Sequence, residues 1–422
     1  MKIEYKRYTT VMREQNPHYV GLDIGTSTVK CVIGIIDQQD SSKISIIGHG
    51  ISPNLGMRKG VVAHIDDVSE SIHKAVGQAE QVSGIRVTQA TVNVNGTHIA
   101  GINSRGVVAI STANKEITES DRHRVEEAAT IIKLPPNREI IQVFAKNYRI
   151  DGQDNIKDPI GMQGIRLEVD THIVTALVSN LKNLDLVLEK SRIQPTRYTI
   201  SSIAAAEAVL TRQQKESGTL LIDIGAGTTN IVVVEDGEIQ HVGVIPVGSM
   251  HLTNDLAIGL KTDLDIAEAV KVQHAGLGDQ AKIGTASVNI QKKSYSFDAE
   301  DVALITEARL EELFELIDKE LKKIHKSQKL PGGIVIVGGM AKLPGIAEYA
   351  KEKLQLAARI GKLQPIGGLL DVVADPIFST AVGLMLLDML LLPNTNHVNN
   401  SKLSNTNVFG LIGGVWHKFK RN

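Results

Sequence analysis

Sulfur chemistry and aromatic rings are nearly absent from this chain. Its 422 residues include one cysteine, one tryptophan and 3% aromatics. The lone Cys31 excludes a disulfide framework within the chain and points to a reducing compartment. Set in an apolar run, it reads as a small buried hydrophobe. With so few rings, the core has to be built from Ile, Val, Leu and Ala. Net charge is also almost missing, at −1, which argues against nucleic-acid binding, since that needs a basic face to neutralise phosphates. Long apolar runs are lacking too. The longest, 382–392, is broken by Asp388 and falls short of the roughly 20 residues of a spanning helix. Residues 1–17 are polar and carry Lys2, Lys6, Arg7 and Arg13. With no apolar stretch behind them they read as a flexible extension, not an export signal. The expectation is a cytoplasmic protein that is neither exported nor membrane-spanning.

What is present is a folded composition, 42% apolar and 22% charged, long enough for about two to four domains. Residues 20–25 read as a strand entering a turn, with a second strand at 29–36. Two hundred residues on, 220–229 repeats strand and turn, followed by a strand at 230–234 and a turn at Asp236-Gly237. A repeat at that distance predicts two related halves, not a solenoid. A third strand and turn spans 333–345 and leads into a helix near Ile346. Helical periodicity marks 66–82, through Val68, Ile72, Ala75, Val76 and Ala79, and also 181–191, 201–212 and 301–325. Strands alternating with helices predict α/β domains with mixed sheets. Residues 87–170 differ, with strands expected at 90–94, 106–110 and 139–150 around a helix at 118–132. They read as an inserted α+β block. Residues 393–407 contain six Asn and read as a flexible linker.

The two turns carry the chemistry. In Asp23-Ile24-Gly25-Thr26-Ser27-Thr28 and in Asp223-Ile224-Gly225-Ala226-Gly227-Thr228-Thr229, glycine lets backbone approach a phosphate. Hydroxyls and amide N–H groups can cradle its oxygens, and the Asp at the strand end can hold a metal-bound water. One such turn is an ordinary hairpin; two can clamp a polyphosphate from opposite sides. Gly338-Gly339-Met340, continuing through Leu343, Pro344 and Gly345, adds a turn against which a flat base could lie. None of the three fits the Walker pattern.

In this order the three elements resemble the phosphate-1, phosphate-2 and adenosine motifs of the actin, Hsp70 and sugar-kinase superfamily. Within it the chain is similar to the FtsA family of cell-division proteins, a likeness running from about residue 20 to 384. It also includes Arg58-Lys59-Gly60, 202–211, Val247-Gly248, Thr253-Asn254-Asp255, Ala267 to Lys271, and Phe378 to Gly383. The resemblance implies an actin-like ATPase fold of two halves around a nucleotide cleft. The first half would comprise 18–86 and 171–215 (subdomain 1A), and the second 216–248 and 331–392 (2A, returning to 1A). Residues 249–330 would form subdomain 2B, and 87–170 would be the SHS2-like subdomain 1C that replaces subdomain 1B. It implies ATP and Mg2+ as ligands, with Asp23 and Asp223 orienting the metal through water. Gly25 to Thr28 and Gly225 to Thr229 would hold phosphates, and Gly338, Gly339, Met340 and Leu343 the adenosine. Glu268 and Lys271 match ribose or base contacts, and read equally well as a surface ion pair.

The resemblance further implies filaments, the FtsZ C-terminal peptide as a partner of 249–330, other divisome proteins on the inserted block, and no nucleic acid. Arg309, Lys319, Lys322 and Lys323 could meet an acidic peptide, or could be a solvated face. One departure stands out. Ser201 occupies the position where hydrolysing relatives carry a polar catalyst, and Glu207 lies two turns into the helix, so turnover is expected to be slow. A sugar kinase would have no use for a lipid-seeking tail. The type IV pilus protein PilM, which also carries the insert, is the alternative.

The last segment, 408–422, makes its own argument. On a helical wheel Val408, Phe409, Leu411, Ile412, Val415, Trp416 and Phe419 fall in an arc of about 160°. Lys418 and Lys420 lie at its margins, and Arg421 lies opposite. Three glycines cost roughly 1 kcal/mol each in water, so the helix is expected to form only at an apolar interface. The three cations add on the order of 3 kcal/mol at an anionic leaflet. An in-plane anchor on the cytoplasmic face is expected.

Overall fold

The computed structural model describes residues 18–36 and 44–390. The extension 1–17, the linker 393–407 and the amphipathic segment 408–422 lie outside the described residues.

The repeat read from the sequence is a repeat of topology. In the first half the hairpin His18–Ile24 and Thr28–Ile36 continues antiparallel into Ile44–Pro53. On its other side Gln89–Val94 and then Gln194–Ile200 add in parallel. In the second half the hairpin Thr219–Ile224 and Thr229–Glu235 continues antiparallel into Glu238–Ile245, and Gly333–Val337 and Ala358–Ile360 add in parallel. Order and polarity are the same in both sheets; Gly367–Gly368 extends the first one at its Ile44–Pro53 edge. Tyr19 to Ile24 are buried without alternation, as expected of central strands covered on both faces. Cys31 is fully buried, and burial pushes its thiol up to about 12, so it stays protonated and inert.

Between the halves runs the helix Ser379–Leu390, which packs on the first sheet. A Cβ on Gly21 would stand 2.0 Å from Ala381 O, and one on Gly383 would stand 1.7 Å from Ala204 O in the helix Ser201–Val209. The two helices therefore cross with backbone in contact. Near the helix end, buried Asp388 accepts from Val20 N–H at 3.1 Å and from the Thr91 and Thr196 hydroxyls at 2.9 and 2.8 Å. The periodic stretch 201–212 is not one helix. Leu210 is extended, and Arg212–Ser217 restarts behind a Thr211–Gln214 capping box.

The insert is an antiparallel sheet in the order Ala100–Ala109, Arg166–Leu177, Arg138–Ile150, Gln153–Ile156. It is covered by the helix Glu119–Ala129, which Thr118 and Asp121 cap reciprocally. Gln89–Val94, read from the sequence as the opening of the inserted block, instead pairs in parallel with His18–Ile24. The physical reason is its burial on both faces, whereas Ala100–Ala109 alternates like a strand with one wet side. Residues 249–330 contain the helices Ser249–Gly259, Leu264–His274 and Ala299–Lys323 with the hairpin Thr285–Ile290 and Lys293–Asp298.

Two glycine substitutions should move stability in opposite directions. Gly77 is exposed inside the helix Ile65–Ser83, and a Cβ there meets nothing. Gly77→Ala should stabilise by about 1 kcal/mol. Gly383→Ala should cost about 3 kcal/mol or more, because backbone stands in the way. Denaturant titration of both variants checks the pair, and equal effects would contradict the helix crossing.

Candidate nucleotide site

The two turns are built alike. Gly25 N–H donates to Thr28 O at 3.0 Å, and Gly225 N–H donates to Thr228 O at 3.0 Å. Each is braced from behind. Asn54 Nδ2 donates to Gly25 O at 2.8 Å, and Gly60 N–H donates to Thr26 Oγ1 at 3.1 Å. On the other side Ser249 N–H and Met250 N–H donate to Gly225 O and Ala226 O, both at 2.9 Å. The turns also face each other: a Cβ on Gly227 would stand 2.9 Å from Thr26 Oγ1. Only glycine permits that approach.

Below the turns sit the two aspartates. Asp23 accepts from Lys30 Nζ at 3.0 Å and from Asn93 Nδ2 at 2.8 Å. Asp223 is half-buried. Burial first, and then the Asp23 charge, push its carboxyl up to about 6, while Lys30, Thr380 and Asn230 pull the other way. The carboxylates thus sense one another across the cleft, with one lysine shared between them. Lys30 and Asn93 were not singled out by the sequence motif. A cation inside the apolar run 28–36 and an amide in the buried strand Gln89–Val94 were the available signals. Ser201 is brought to this cluster, buried, with Oγ accepting from Asn93 Nδ2 at 3.1 Å. Glu207 is paired with Lys215 at 2.7 Å.

Gly338 belongs to the same site. It has φ +86°, and a Cβ on it would meet Asp223 Oδ1 at 2.5 Å and Ile224 O at 2.6 Å. A Cβ on Gly339 would enter open space. Met340 and Leu343 are buried side chains of the second core, so the open side of this element lies at Gly339. Glu268 and Lys271 are ion-paired at 2.6 Å, with Thr253 Oγ1 donating to the same Glu268 oxygen at 2.6 Å. Lys271 Nζ also reaches Ser249 O at 3.4 Å. The pair is thereby tied to the helix that braces the second turn.

Comparison with known proteins returns one family and one fold. A family model described as "Cell division protein FtsA" matches residues 220–383, and one described as "SHS2 domain inserted in FTSA" matches 96–175. The cell division protein FtsA of Bacillus subtilis is 38% identical over 374 residues, covering 88% of this chain and 83% of the relative. That of Pseudomonas aeruginosa is 35% identical over 374 residues, covering 87% and 88%. Among solved structures, the PilM-PilN type IV pilus biogenesis complex matches with a TM-score of 0.64 at 17% identity, covering 88% of this chain and 98% of that one. MreB5 of Spiroplasma citri bound to ADP matches with a TM-score of 0.52 at 13% identity, covering 88% and 96%. These two likenesses are of fold: the actin-like fold expected from the motifs.

Asp223 yields a pH signature. Its folded carboxyl holds a proton more tightly than the unfolded one, so its contribution to stability falls as pH rises from about 4 to about 6. Above that range the penalty is complete. Asp223→Asn should therefore stabilise the nucleotide-free protein at pH 8 by on the order of 2 kcal/mol. The gain should narrow below pH 6 and close near pH 4. Denaturant titrations at pH 4.5 and 8 measure it, and an equal gain at both would contradict the buried, like-charged setting.

Proposed function

The chain belongs to the FtsA family of cell-division proteins, and from that membership we propose that it binds Mg-ATP between its halves and, held to the membrane by 408–422, attaches the FtsZ ring to the cytoplasmic face at the division site. The observation that carries the nucleotide reading is the pair of like turns meeting at Thr26 and Gly227. Phosphates would lie on Gly25 to Thr28 and Gly225 to Thr229, with adenosine along Gly338 and Gly339. Glu268 and Lys271 would close the ribose side. Two facing carboxylates are hard oxygen donors that suit Mg2+. Among the described residues no group of three or more His, Cys, Asp or Glu could hold a metal alone. In this reading Asp23 and Asp223 hold the ion through water while the nucleotide supplies its other oxygens. The metal's contribution is neutralisation of phosphate charge.

Turnover in this reading is slow. Among the described residues, the side chain hydrogen-bonded to Ser201 is the Asn93 amide, a donor and not a base. Filament formation and divisome contacts through the insert follow from family membership. So does docking of the FtsZ peptide on 249–330. There the helix cations are largely committed: Arg309 to Asp255 and Glu312, Lys322 to Asp318, Lys323 to Glu320. The peptide would have to compete with the protein's own acids. PilM remains the alternative reading. Its likeness here is one of fold, and the amphipathic segment favours the division role.

The nucleotide reading is tested at Gly339, where a side chain has room. Gly339→Asp should fold normally and lose the thermal stabilisation that Mg-ATP gives the parent. Stabilisation equal to the parent's, or a parent turnover near 10 per second, would count against the cleft as described.

The anchor and partner are tested together on anionic vesicles. The full chain should bind them with ATP, form filaments visible by electron microscopy and bring FtsZ with it. Trp416→Glu puts a charge in the acyl region at a cost of a few kcal/mol and should abolish recruitment. Recruitment that survives the change would sink the anchor. Vesicle binding without FtsZ at low salt would sink the partner.

A further inference from the structure

The hairpin Met57–Arg58 and Val61–Val62 has no place in the three motifs, yet its tip stands where they meet. Lys59 and Gly60 form the tip, both at positive φ, +47° and +76°. Three contacts hold it there. Gly60 N–H donates to Thr26 Oγ1 at 3.1 Å, which ties it to the first turn. A Cβ on Gly227 would meet Lys59 Cα at 3.1 Å, so the tip also lies on the second turn. A Cβ on Gly60 would meet Gly96 Cα at 2.7 Å, so the loop after Gln89–Val94 backs it. A lysine in left-handed backbone is a conformation that glycine would adopt more cheaply. Its side chain is exposed and has no acidic partner among the described residues. Lys30, the other cation at the turns, is already committed to Asp23.

We infer that Lys59 is a phosphate-binding residue that reads the terminal phosphoryl group of a nucleoside triphosphate. The inference rests on the nucleotide reading above and adds to it. The order of contacts along the cleft sets Lys59 at the end away from Gly338. Gly338 touches Asp223 and Ile224, at the base of the second turn. Gly227, at the tip of that turn, touches Thr26 and Lys59. A nucleotide laid with its base at Gly338 and Gly339 therefore reaches Lys59 only with its last phosphate. A diphosphate stops short. A flexible ammonium is suited to this role because it needs no fixed orientation to meet a phosphate oxygen. Backbone contacts on both turns make the tip a third wall, so that the halves and the hairpin close on the same group.

The test is fluorescence titration of the full chain with ATP and with ADP, each with Mg2+. Lys59→Gln should weaken ATP by about tenfold, the scale of one charge-assisted hydrogen bond, and ADP by less than about threefold. Lys59→Gly, which relieves the backbone and removes the ammonium, should behave like Lys59→Gln. Lys59→Arg should keep most of the preference for ATP. Arg58→Gln, which removes a neighbouring charge, should leave both affinities within about twofold. Melting temperatures without nucleotide should match the parent in Lys59→Gln, Lys59→Arg and Arg58→Gln, and should be no lower in Lys59→Gly. If the parent shows no saturable ATP binding, the cleft reading and this one fall together. If the parent binds ATP and Lys59→Gln weakens ATP and ADP alike, or Arg58→Gln acts as strongly, only the assignment of Lys59 is overturned.

Discussion

Two carboxylates facing one another, one buried and one half-buried, are the constraint on which the molecule is arranged. Asp23 and Asp223 end equivalent strands of two sheets, and the burial that pushes the Asp223 carboxyl up also brings it within range of Asp23. Left alone, such a pair is costly. The structure offsets the cost with one lysine, two amides and one threonine hydroxyl: Lys30 and Asn93 on Asp23, and Asn230 and Thr380 on Asp223, the last at 3.4 Å. Lys30 and Asn93 come from the first half, and Thr380 from the helix that returns to it. The second aspartate is thus served by Asn230 of its own sheet and by Thr380 from outside it. A site of this kind exists only when both halves are docked, and any divalent cation or phosphate that enters changes the balance for both at once.

The helix Ser379–Leu390 makes that dependence mechanical. One end touches Asp223 through Thr380, the middle crosses Ser201–Val209 at Gly383, and the other end carries Asp388, which accepts from the first strand and its parallel neighbours. Ser201 opens the helix it crosses and accepts from Asn93, which in turn holds Asp23. A shift of the first helix thus reaches Asp223 through one hydrogen bond, and a shift of the second reaches Asp23 through two. Close-packed backbone contacts of this kind do not deform gradually. Compression of the crossing would drive Gly383 into Ala204.

How much of this could be read in the sequence depended on range. The turns were legible because each is local: Asp, Gly and hydroxyls lie within seven residues, and their recurrence identified the two halves. The adenosine turn was legible for the same reason. Lys30 and Asn93 were not, because their role comes from a carboxylate seven residues away across a hairpin and from one 70 residues away in a parallel strand. Gln89–Val94 was assigned to the insert because a short apolar strand carries no mark of which sheet it joins. That was settled by burial on both faces. The break at Leu210 was hidden by continuous helical periodicity, although the Thr211–Gln214 box was there to be read.

Surface chemistry in 249–330 follows a different logic from the cleft. Along Ala299–Lys323 most cations meet acids three or four residues away on their own helix or, for Arg309, on the neighbouring one. Such pairs contribute little to stability, but they flatten the field that a charged partner would feel at a distance. Recognition on that face then has to come from contact. Ile258 and Leu304 are exposed there, and the proximity of Gly259 to Ile305 places their two helices side by side. The cleft is the opposite case, since its two carboxylates share one lysine and come from both halves. One fold thereby carries a site governed by charge and a surface governed by shape, and the two can vary independently among proteins that share only the fold.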